Sequence, residues 1–209
     1  MQVFPRIEAR NGPLAPSFAA LLLAIAVLTL GGPRAAAQAP QVILHLDGEH
    51  SKVYWSVEDT THTVRGTFQL KGGLVTYNPD TGVADGELLV DVTSAQSGNK
   101  TRDTKLKTQI LEAQKFPQAF FHPTLVKGTL KDQTTQKLTV SGTFNIHGAD
   151  HPLTLTLDVK VEGTAVSATT TFNVPYVAWG MTDPSVFLFR VAKQVKVDVQ
   201  AQGRIEGVR

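Results

Sequence analysis

PLTLTLDVKVE, residues Pro152 to Glu162, is the most regular run in the chain and decides its class. Leu153, Leu155, Leu157, Val159 and Val161 fall on one side; Thr154, Thr156, Asp158, Lys160 and Glu162 fall on the other. That period of two is a strand with one face in an apolar core and one in water. The device recurs on both sides. Downstream lie Ala165 to Val174 and Lys193 to Gln202, the latter with Val195, Val197 and Val199 on one face. Upstream lie Lys137 to His147, then Ala119 to Lys127, where Pro123 marks an edge or a bulge. Gly86 to Thr93 puts Leu88, Val90 and Val92 together. Nearer the start, Gln41 to Asp47 turns at Gly48 into Lys52 to Glu58, with Val53, Trp55 and Val57 on one face. Thr63 to Leu70 follows, with Gly66 suited to a bend or a close backbone approach. Gly72-Gly73 connects it to Leu74 through Tyr77, and Asn78 to Gly82 forms a Pro- and Gly-containing turn. Eight or more strands with short turns and one apolar face each are antiparallel and need a shared interior, a barrel or a sandwich. The class is all-β, in one domain.

One stretch breaks the pattern. Between Ser94 and Pro117, Leu106, Ile110 and Ala113 recur at helical spacing. Thr101 can cap a helix, Asp103 suits its first turn, and Pro117 stops it. The expectation is one short α-helix near residues 101–115, packed at the mouth of a barrel.

The first 37 residues read as a signal peptide. Arg6 and Arg10 precede an apolar run from Phe18 to Leu30, and Ala35-Ala36-Ala37 offers small residues for cleavage after Ala37. A cut after Ala39 would leave Pro40 first, which is sterically awkward. No Cys lies at the junction to carry a lipid anchor. The expected product, residues 38–209, is exported to the periplasm or secreted, with no stable membrane insertion after cleavage. It carries 17 basic and 17 acidic residues, so the basic pI of 8.9 belongs to the leader and gives no support for nucleic-acid binding. With no cysteine, stability rests on the packed core of 172 residues.

Few residues carry visible chemistry. There is no nucleophile elbow and no glycine-rich phosphate loop, so no catalytic residue and no cofactor is assigned. His147, Asp150 and His151 sit within HGADH, which has the composition of a metal site and equally of a hairpin turn between two strands. Read the first way, it makes a metal-dependent periplasmic enzyme; read the second way, which is favoured, it leaves no metal ligand. Arg102-Asp103 is a charged pair that either fixes the helix start or meets a ligand headgroup. The aromatic residues are core in a filled barrel, which would then serve only as an interaction module, and lining in a hollow one.

The motifs in order resemble those of the YceI-like family. SKVYWSV (Ser51 to Val57), HTVRGTF (His62 to Phe68), VDV-x-S (Val90 to Ser94), GNKTRD (Gly98 to Asp103) and Phe116-Pro117 carry the first half. LTVSGTFNIHG (Leu138 to Gly148) with PLTL (Pro152 to Leu155) carries the second. The resemblance runs from about Val42 to Val199. It implies an antiparallel lipocalin-like β-barrel of about eight strands, an exported bacterial protein without an enzymatic step, and a polyisoprenoid or other fatty amphiphile as partner in the lumen. The lumen candidates are then Trp55, Phe68, Phe120, Phe144 and Phe172, the strand residues Leu155 and Leu157, and the later aromatics Trp179, Phe187 and Phe189. His62, Arg102 and Asp103 fall on polar positions of the family pattern, as structural or mouth residues. A homodimer is compatible with all of this.

Overall fold

A computed structural model describes residues 41–208. The expected leader and its cleavage point at Ala37 lie outside the described residues. Gln38–Arg209 forms one compact unit. Its eight strands close into an antiparallel barrel in which every strand pairs with its sequence neighbours and β8 pairs with β1. They are β1 (Val42–Glu58), β2 (Thr63–Tyr77), β3 (Ala84–Gln96), β4 (Gln118–Lys127), β5 (Thr135–Ile146), β6 (Ala149–Glu162), β7 (Ala165–Val174) and β8 (Val195–Glu206). Closure leaves no open sheet edge, so the unit needs no outside strand to satisfy its backbone.

The expected barrel with one short helical insertion is what the chain forms, with two differences in its strands. Gly48 does not end a strand, and Gly72-Gly73 does not separate two. In each case one long strand continues through a register shift, between Leu46 and Val53 in β1 and between Leu70 and Gly72 in β2. Such bulges let 15- and 17-residue strands bend around a closed barrel. Pro123 lies at a further shift, between Pro123 and Leu125, the kind of irregularity in which a sheet accommodates a residue without an N–H.

The up-and-down order sends alternate connections to opposite ends. Tight turns close one end at 78–83, 128–134 and 163–164. The other end carries the long connections, 97–117 and 175–194, with short turns at 59–62 and 147–148. Two apolar clusters match this division. Val42, Tyr77, Val126, Leu138, Val161 and Ile205 pack the tight-turn end. Val92, Ala95, Leu111, Ala113, Tyr176 and Met181 pack the other.

The helical insertion is shorter than expected and starts elsewhere. Helix α1 spans Lys100–Lys105; its N-cap is Asn99, not Thr101, and the Asn99 side chain accepts a hydrogen bond from the Arg102 N–H at 3.1 Å. A π-helical turn, Leu106–Ile110, continues it and ends at Leu111. The widened turn rotates Leu106, Ile110 and Leu111 together toward the barrel interior, and Ala113 follows them into the buried cluster.

Candidate functional site

Between the two clusters the barrel is hollow. A cavity of about 260 Å³ lies against the helical end and a second of about 110 Å³ lies beyond it. They share Leu44, Leu46, Leu88, Phe121, Leu155 and Leu157, so one lumen runs through both. Its wall along β1 extends from Leu44 to Val57. The bulge in β1 adds no length, since Leu44 pairs with Ile205 and Ser56 with Lys196, and the wall spans roughly 25 Å along the axis at ~3.3 Å per residue and the usual strand tilt. No polar atom is exposed on the wall. The alternation read from the sequence produces this surface directly: the Leu153, Leu155 and Leu157 row of β6 and the Val195, Val197 and Val199 row of β8 both face in. An eight-stranded barrel has room for one small ligand, and an apolar void of this kind favours an apolar occupant over water.

Six of the ten lumen candidates line this cavity: Trp55, Phe68, Phe144, Leu155, Leu157 and Phe172. Trp55 and Phe68 face each other at 6.4 Å between ring centroids, and Phe144 meets Phe172 edge-on at 6.3 Å. Trp55 is buried, with its indole over the bare backbone of Gly66, where a Cβ would overlap the ring. Gly66 is thus the close approach expected of it.

Four candidates are elsewhere. Phe120 points outward beside His122, and Phe121 is the lumen residue of that pair. The cause is the bulge at Pro123. Counting back by twos from inward-facing Val126 lands on Phe120, and the extra residue inverts the parity. Trp179 sits outside the cavity wall, packed on Phe144 and stacked flat on His151 at 4.1 Å. Phe187 and Phe189 belong to no strand; they occupy an exposed turn at the helical end, with Phe187 86% exposed. Phe121, Leu70, Leu88, Tyr176 and Met181 line the cavity and were not among the candidates. The inward row of β3 signalled Leu88. Tyr176 and Met181 lie in a connection, where periodicity carries no information.

The polar positions of the motif hold loops rather than face the lumen. Arg102 and Asp103 form no ion pair with each other. Both reach back to Ser97: Arg102 donates from Nε to Ser97 Oγ (2.7 Å) and from its terminal nitrogen to the Ser97 carbonyl (3.1 Å). Asp103 accepts from the Ser97 N–H (2.8 Å) and hydroxyl (2.5 Å). His62 closes the β1–β2 turn through Asp59, whose carboxylate accepts from the N–H groups of Thr61 (2.7 Å) and His62 (2.9 Å). Burial raises the Asp59 pKa, but these bonds outweigh it and hold it below the usual carboxylate range.

HGADH is a hairpin turn. His147 and Gly148 both take left-handed φ angles, +54° and +75°, and join β5 to β6. The three side chains then part. His147 meets the Glu112 carboxylate at 2.6 Å under the Phe116 ring; Asp150 accepts from the Asn145 amide at 2.6 Å; His151 goes under Trp179. Among the described residues no cluster of three such groups is arranged to hold a metal ion.

The YceI-like domain matches residues 44–203. No curated protein matches the chain in sequence. BcnA of Burkholderia cenocepacia superposes with a TM-score of 0.62 at 18% identity, covering 75% of this chain and 98% of that one. A polyisoprenoid-binding domain from Saccharophagus degradans gives 0.62 at 15% identity, covering 78% and 98%. The YCEI protein of Campylobacter jejuni gives 0.52 at 15%, covering 68% and 84%. At these identities the structures share the fold. The domain match, spanning almost the whole described barrel, shows that the chain belongs to the YceI-like family.

Proposed function

We propose that the barrel is a binding protein for a long-chain amphiphilic lipid of the polyisoprenoid type, held in the lumen for transport, storage or sequestration after export. The observation that carries the reading is the continuous apolar cavity between two packed ends. The Saccharophagus relative, described as a polyisoprenoid-binding domain, supports the ligand class. Burying ~400 Å² of an alkyl chain supplies about 10 kcal/mol of gross driving force at ~25 cal/mol per Å². Immobilisation consumes a large part of this, leaving affinity in the micromolar range or tighter. The leader of residues 1–37 supports export to the periplasm or medium. Chemistry on the ligand is not part of the reading.

The test uses the two tryptophans, Trp55 in the lumen and Trp179 outside it. Organic extraction of purified protein with mass spectrometry should find a bound lipid. Added geranylgeraniol should quench Trp179→Phe, which retains only Trp55. A protein that is always empty and gives no quenching with geranylgeraniol or palmitate would falsify the reading.

A further inference from the structure

The exposed turn that removed Phe187 and Phe189 from the lumen carries a second reading. Val186, Phe187, Leu188 and Phe189 are consecutive and all exposed, at 63%, 86%, 79% and 39%. They form a tight turn: the Val186 N–H donates to the Phe189 carbonyl at 2.9 Å, so the two most exposed residues stand at its tip. A floppy loop could fold these side chains inward. This one is held out. Asp183 pairs with Lys193 across its base and accepts from the Ser185 N–H at 3.0 Å. The Lys193 contact is the main reason the Asp183 carboxyl is lowered to about 2, so the pair stays charged throughout the neutral range. The Ser185 hydroxyl accepts from the Val191 N–H at 2.9 Å. The Arg190 N–H donates to the Thr60 hydroxyl at 2.8 Å, and the Thr60 N–H donates to the Arg190 carbonyl at 2.9 Å, tying the loop to the β1–β2 turn.

Two further observations say what covers the tip. The first is continuity: Pro184 and Val191, the residues flanking the turn, line the lumen. The tip therefore stands beside the end of the cavity nearest the helical insertion. The second is charge. The connections at this end hold four acids, Asp59, Asp103, Glu112 and Asp183, the last paired with Lys193. Against them the same connections carry seven lysines and arginines, with Lys100, Lys105, Lys107 and Arg190 in no ion pair among the described residues, so this end has a net charge of +3 around an apolar tip. Four side chains cannot supply the ~800 Å² per partner of a stable protein interface. They do suit shallow insertion into a bilayer, with nearby cations meeting anionic headgroups.

We infer that Val186 to Phe189 is a membrane-docking tip, which seats the helical end of the barrel on an anionic lipid surface so that a chain can pass between bilayer and lumen. The passage rests on the lumen reading above; the docking does not. The test is flotation of the Gln38–Arg209 unit with vesicles of phosphatidylcholine and phosphatidylglycerol (7:3), compared with the double variant Phe187→Ser, Leu188→Ser. The native unit should float, less so with pure phosphatidylcholine, and the variant's vesicle-bound fraction should fall at least tenfold. Circular dichroism and quenching by geranylgeraniol supplied in solution should be unchanged. Equal flotation of variant and native protein overturns the docking. So does a native dimer that the variant dissociates with neither floating, which would give the tip to a second copy. Vesicle binding lost only in the variant, with no geranylgeraniol quenching in either, keeps the docking and removes the lumen reading.

Discussion

At the scale of single residues, the lumen depends on which neighbours are small. Gly66 lets the Trp55 indole lie against the backbone, and a Cβ there would also overlap the Gln96 carbonyl. Gly66→Ala should therefore cost about 1–3 kcal/mol, as overpacking does, and shift Trp55 emission; urea unfolding and fluorescence measure both. His151 makes a different prediction. Its Nε2 is buried without a partner beneath Trp179, and burial lowers its pKa against the opposing pull of the Asp150 charge. The folded state thus prefers neutral imidazole more than the unfolded chain does. Its contribution is complete above the unfolded value near 6.5 and is lost as pH falls through the lower folded value. Thermal unfolding should show a smaller Tm drop from pH 7.5 to 5.5 in His151→Gln than in the native protein; equal drops would exclude His151 as the source. The carboxylates with lowered pKa, such as Asp59 and Asp198, act at lower pH and do not enter this window. The close approach at Gly66 was legible in the sequence; the setting of His151 was not, because a histidine on a strand has the same letter whether it faces solvent or an indole.

At the scale of elements, the period of two was readable wherever a strand was regular, and the errors fall where it is interrupted. β6 and β8 present the faces their alternation dictates. At Pro123 the interruption changed the assignment from Phe121 to Phe120, although the proline itself announced a bulge. In β1 and β2 the glycines looked like chain reversals because the same residue serves turns and bulges. The insertion between β3 and β4 was legible as amphipathic, yet its π-turn was not. Ser97 is the node that holds it, gathering both Arg102 and Asp103. Asp103→Ala leaves the Ser97 N–H without its acceptor and should cost about 1–3 kcal/mol. It should also raise the rate of trypsin cleavage between Lys100 and Lys115. Unchanged cleavage would mean that the apolar contacts of Leu106, Ile110 and Leu111 alone hold the cover in place.

At the scale of the whole molecule, the question is why an apolar interior stays open instead of collapsing. Closed barrels fix their radius through strand number and register, so side chains, not backbone, decide whether the centre fills. Here the two ends are packed by Val, Ile, Leu and Tyr, while the wall between them includes small residues. Ala168 and Ala201 are the clearest case: they are paired across β7 and β8, and both line the two cavities. Leu at both positions would extend into the empty space without new strain on the backbone. Ala168→Leu with Ala201→Leu should hold or raise stability by about 0.5–2 kcal/mol, the usual gain from filling a void. The same change should abolish quenching of Trp55 by geranylgeraniol. Stability and binding would then move in opposite directions, which is the signature of a cavity kept for an occupant. Leu155→Asp should instead lose both together, since an unpaired charge on that wall has no compensating partner. If the double Leu variant is destabilised by as much as the Asp variant, the space between Ala168 and Ala201 is not available to any ligand, and the alkyl chain must lie nearer the helical end, against Trp55, Phe68 and Phe172.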